Sequence, residues 1–118
     1  MVTVIFEVWP RPDHRQGYLD WAAELKSELV KMEGFISIER FQSLTDPDKL
    51  LSLSFWRDEA AVAAWRHDAA HRAAQSAGRG GIFRDYRLRV AGVVRDYGLD
   101  ARRDQAPVDS RAVHEPMV

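Results

Sequence analysis

The order in which strand and helix periodicities follow one another leaves few folds open to this chain. Val2 to Trp9 is dense in Val, Ile, Phe and Trp and reads as a strand, stopped by Pro10 and Pro12. Asp13 with Gln16 has the pattern of a capping box, and Tyr18, Trp21, Ala22, Leu25, Leu29 and Met32 then recur at helical spacing until Gly34. Phe35 to Leu44 reads as a second strand, with Ile36 and Ile38 on one face and Phe35 and Phe41 on the other. The turn residues "TDPD", Thr45 to Asp48, join it as a hairpin to a third strand, Leu50 to Trp56. Asp58 can cap a second helical region with the apolar stripe Ala61, Val62 and Trp65. Asp68 offers another cap, which predicts a kink or break near Arg66 to Asp68. "GRGG", Gly78 to Gly81, ends the helical part, and Phe83 to Tyr97 reads as a long last strand with Leu88, Val90 and Val94 on one face.

This is βαββαβ, the ferredoxin-like split βαβ order: an α+β fold with an antiparallel sheet and two helices on one face. Neither parity of the strands is consistently polar, so the second sheet face needs a cover. The chain has no spare helix to supply it. A second copy is the expected partner, giving a homodimer packed sheet to sheet. Residues 1–98 are expected to form the one domain that 118 residues suit. Residues 99–118 lose their periodicity, hold Pro107, Pro116 and many charges, and read as a C-terminal arm or flexible tail.

Charge and composition narrow the function. Seventeen Lys and Arg against 18 Asp and Glu give a net charge of -1, which is no nucleic-acid footprint. The absence of cysteine excludes disulfides, thiolate metal sites and cysteine nucleophiles. No stretch reads as a signal peptide or a bilayer span, so a cytoplasmic protein without a membrane partner is expected. The four histidines form no zinc signature, so no metal site is expected. "GRGG" lacks the Lys-Ser/Thr ending of a phosphate loop.

The stretch "SFWRDEAAVAAWRHDAAHRAAQSAGR", followed by "FRDYRLRVAGVVRDYG", resembles the antibiotic biosynthesis monooxygenase domain family. The resemblance covers about residues 1 to 98. It implies ferredoxin-like units that pair as a dimeric α/β barrel, and a family that spans quinone-forming oxygenases, haem degraders and members of unassigned role.

Six residues are candidates for the site. Trp65 lines the pocket in the resembled family; by spacing alone it is a core tryptophan, and both can hold. His71 falls where haem-degrading relatives place their iron ligand, and it equally suits a hydrogen bond to Asp68. Those relatives also use an asparagine on the first strand, and this chain contains no asparagine. The only ionisable residue inside the first strand is Glu7. It can serve as a base for a phenolic substrate if it points into the barrel, or it can pair with Arg87 or Arg89. Phe55, Trp56 and Trp9 are pocket candidates, the two tryptophans at strand ends.

Two functions follow. One is cofactor-independent oxidation of a small aromatic or polyketide-like molecule, which asks the protein to exclude water, orient the ring and stabilise an anion. The other is a non-catalytic barrel that binds a hydrophobic ligand or partner, distinguished by a cavity without polar groups. Haem binding or degradation is a further variant, made less fitting by the missing asparagine.

Overall fold

The structure, a computed structural model, describes residues 1–75 and 81–109, and the side chains of all of these except residues 69–75 and 103. Its elements are β1 (Val2–Pro10), α1 (Arg15–Leu29), β2 (Phe35–Gln42), β3 (Leu50–Trp56), α2 (Glu59–Gln75) and β4 (Phe83–Gly92). The strands form one sheet in the order β2-β3-β1-β4, with every neighbouring pair antiparallel. The fold is therefore the expected ferredoxin-like α+β arrangement.

Strand alternation sends the even-numbered residues of β1, β3 and β4 to one face. Val8 and Leu50 pack there against Tyr18 and Ala22 of α1, and Trp56 packs against Leu29 of α1 and Ala61 of α2. Both helices thus lie on the same side. The odd residues, among them Ile5, Glu7, Leu51, Leu53 and Phe55, form an outer face that neither helix covers.

Local details correct several expectations. β2 slips register between Phe35 and Ser37, so Ile36 sits in a bulge. Phe35 and Ile38 consequently share the helix side, while Ile36 (53% exposed) and Phe41 (41%) do not pack under the helices. The capping box does not form: the 3-10 turn Pro12–His14 starts the coil early, and Gln16 instead donates to Asp20. α2 runs unbroken through Asp68, because the Ala-rich sequence around it favours helix and Asp58 already caps the start by accepting from the Ala61 N–H at 2.9 Å. β4 stops at Gly92, which pairs with Val2 at the start of β1, and the Met1 carbonyl accepts from the Val93 N–H at 3.0 Å.

Gly34 closes the turn between α1 and β2 at φ +84. Its carbonyl accepts from the Arg57 N–H at 2.7 Å, and a Cβ here would meet the Ala61 Cβ at 2.6 Å. Both the backbone conformation and the close approach of α2 require glycine.

Candidate functional site

The core is not continuous. One cluster centres on Val8, Tyr18, Ala22 and Leu50, and a second on Leu29, Trp56 and Ala61. Between them, a cavity of about 260 Å³ lies under the helices. Its roof is Trp21 and Leu25 of α1 with Val62, Trp65 and Arg66 of α2.

Its floor is two rows of side chains that cross the sheet. Arg40 pairs with Ser52, Ser52 with Phe6, and Phe6 with Leu88. The second row is Ile38, Ser54, Val4 and Val90. Both rows run from hydroxyl or guanidinium groups on the β2 and β3 side to purely apolar groups at β4. Leu88 and Val90 are 52% and 43% exposed, so the apolar end is also the open end.

The polar groups are few and particular. Trp56 is 1% exposed, and its indole N–H donates to the Ser54 hydroxyl at 2.9 Å. Burial pushes the Tyr18 hydroxyl above the ordinary phenol value, against the opposing pull of the neighbouring Arg40 guanidinium. Tyr18 therefore stays a neutral donor at neutral pH. The Arg40 Nε is buried with no hydrogen-bond partner. None of the ion pairs among the described residues involves Arg40.

The expected site residues divide. Trp65 lines the cavity and also packs on the second cluster, so its two readings coincide in space. Trp56 lines the cavity floor. Phe55 is not in the cavity wall: odd parity on β3 turns it to the outer face, opposite Thr3. Glu7 also faces outward, 3.4 Å from Lys49 and 3.5 Å from Arg89, so it shares an ion-paired surface and not this cavity. Trp9 donates to Asp46 at 2.9 Å with the Lys49 ammonium over its ring, and that indole bond foremost holds the Asp46 carboxyl below its usual range. The side chain of His71 lies outside the described residues, as do His114 and the side chain of Arg72. Among the described residues, no group of His, Asp and Glu could hold a metal ion.

Sequence reasoning missed Arg40, Tyr18 and the two serines as cavity residues. The serines did carry a signal, since "LLSLSFW" alternates Ser with large apolar residues and so marks one strand face as both buried and polar. Arg40 was hidden by the bulge at Ile36, which disguises its parity relative to Phe35.

A family model described as antibiotic biosynthesis monooxygenase matches residues 1–77. The chain is 42% identical over 111 residues to the jasmonate monooxygenase ABM of Pyricularia oryzae, covering 94% of this chain and 52% of that protein. It thus spans about half the length of that relative. YqjZ of Bacillus subtilis is 30% identical over 86 residues, covering 72% of this chain and 73% of its own. Among solved structures, Rv0793 from Mycobacterium tuberculosis superposes with a TM-score of 0.69 at 20% identity, over 82% of this chain and 98% of that one. MhuD, solved with two manganese protoporphyrin IX molecules per active site, has a TM-score of 0.64 at 16% identity, over 83% and 99% of the two chains. These structural likenesses concern the fold.

Proposed function

The chain belongs to the antibiotic biosynthesis monooxygenase family, and on that premise we propose that it oxidises a small aromatic or polyketide-like molecule with dioxygen in the cavity between helices and sheet. One observation carries this reading: Trp21, Trp56 and Trp65 enclose an apolar space into which only a few polar groups reach. Such a space suits a flat, apolar substrate and excludes water. The presence of Arg40 and Tyr18 favours catalysis over passive storage, because a plain hydrophobic carrier has no use for a cation in its cavity wall.

The chemistry asks for no resident cofactor. A substrate with an acidic CH2 beside a carbonyl or phenol loses a proton to give an electron-rich anion, which passes electrons to dioxygen. One oxygen atom replaces the two hydrogens as a carbonyl, and the other leaves with them as water. The neutral Tyr18 hydroxyl donates to the anion, Arg40 adds positive charge at that end of the cavity, and Trp65 holds the ring. The jasmonate monooxygenase relative supports oxygenation of a small molecule as the reaction class. Among the described residues of the wall, Tyr18 is the one side chain of a type that ligates haem iron, with no histidine or methionine beside it.

The working unit is residues 1–98 as a homodimer, its outer sheet faces packed together. Ile36 and Phe41, each more than two-fifths exposed on the single chain, are the support for that pairing. The oxygenase reading is tested by dioxygen uptake with a panel of anthrones, hydroquinones and naphthols. Uptake with one carbonyl formed per dioxygen consumed is expected, and no uptake above the spontaneous rate across the panel would refute it.

A further inference from the structure

We propose that the ligand of the cavity is an apolar monocarboxylic acid, with its carboxylate on the Arg40 guanidinium and its body laid along the floor towards β4. The proposal deepens the substrate-site reading of this cavity and rests on it.

Arg40 is the reason. A guanidinium cannot shed its proton at any ordinary pH, so it cannot escape burial by neutralising. A buried charge with no partner is costly, and proteins almost always supply one. Arg40 is only partly buried and its guanidinium hydrogen-bonds the Tyr18 hydroxyl, but its enclosed Nε has no partner, and no ion pair among the described residues reaches it. A ligand anion satisfies that donor. The planar fork of a guanidinium matches a carboxylate in bidentate fashion. Ser52 opposite and the Tyr18 hydroxyl beside it are further donors at the same end.

The remainder of the floor sets the rest of the ligand. From Arg40 to Leu88 the row crosses three interstrand steps, about 14 Å. Beyond Ser52 it meets only Phe6 and Leu88, and the parallel row beyond Ser54 only Val4 and Val90. An acid with an apolar body of one or two rings matches this gradient and a cavity of about 260 Å³. A phosphate, with its larger charge, would find one guanidinium too few. Arg66 also borders the cavity, but from the exposed side of α2. It therefore stands at the mouth and does not replace Arg40.

The test measures binding of 2-naphthoic acid and jasmonic acid, each beside its methyl ester, to the full chain by calorimetry. The ester keeps the body and removes the charge. At least one acid should bind about tenfold or more tightly than its ester, the magnitude of a charge-assisted hydrogen bond. Arg40→Gln should abolish that preference by weakening the acid far more than the ester, Arg40→Lys should restore part of it, and Arg66→Gln should leave the preference intact. The proposal is overturned if neither acid is preferred, or if the preference survives Arg40→Gln or follows Arg66 instead. The comparison of acid with ester in the unaltered protein needs no variant to fold. An intact preference with no dioxygen uptake would sink the oxygenase reading alone, and uptake without any preference would sink this one alone.

Discussion

The Trp56 indole is satisfied by Ser54, two residues earlier on the same strand and on the same face, at 2.9 Å. A tryptophan only 1% exposed thus finds its partner in the cavity floor and not in the helices above it. Ser54→Ala should leave a buried N–H unpaired and cost about 1–3 kcal/mol in urea unfolding. Trp56→Phe made in the Ser54→Ala background should show no further loss from the missing bond, so a double-mutant cycle reads the pair directly. Independent, additive losses would mean that another group satisfies the indole.

Trp65 separates packing from substrate positioning. It is only partly buried, so Trp65→Ala should cost less than the about 3–5 kcal/mol of a fully buried tryptophan. Trp65→Phe keeps most of the contact. Turnover should fall while the melting temperature barely moves. Unchanged turnover in Trp65→Phe would assign the residue to packing alone.

Gly34→Ala should destabilise by more than the about 1 kcal/mol that separates alanine from glycine in permissive conformations. Two penalties act together: φ of +84 and a 2.6 Å approach to the Ala61 Cβ. Ala61→Gly in the same chain relieves the second penalty and not the first. Partial recovery in thermal unfolding is the expected result, and full recovery would show that the backbone conformation carries no cost.

Tyr18 makes stability depend on alkaline pH. Its folded pKa is raised above the ordinary value of 10.0, chiefly by burial. The folded state therefore holds its proton where the unfolded chain has released it. The contribution is fully present below pH 10.0 and is lost as pH rises through the folded value. Unfolding free energy should decline from pH 10.0 up to the folded value, and Tyr18→Phe should flatten the decline. An equal slope in wild type and variant would place the titration elsewhere.

Sedimentation at low micromolar concentration should show a two-chain species. Phe41→Glu, which puts a charge on the outer face, should shift it towards one chain without unfolding it. A monomeric wild type would leave the outer face without its proposed cover.

The fold was legible because its signals are redundant. The split order survives errors at any single boundary, and β1 or β3 is apolar enough to be read alone. Finer features depended on single residues. One bulge at Ile36 reversed the facing of Phe35. The odd parity of Phe55 and Glu7 moved both away from the cavity, a fact that follows from register and not from residue type. β4 ends at Gly92, opposite Val2 of β1, and that pairing limit is not recorded in any local pattern of Phe83 to Tyr97. Arg40 escaped notice because a lone arginine in a strand next to an edge turn resembles any solvated charge until its neighbours across the sheet are known.

The division of the core has a consequence for how such a protein can change over generations. Arg40, Ser52, Ser54, Leu88 and Val90 of the floor belong to neither apolar cluster. Their backbone is held by the strand ladder, while the two clusters on either side secure the helices. A substitution at these positions, Ser54 with its bond to Trp56 excepted, alters what the cavity accepts and leaves both anchors untouched. The scaffold can drift from one small molecule to another by single steps, each of them folding. A lineage built this way would diversify in chemistry faster than in shape.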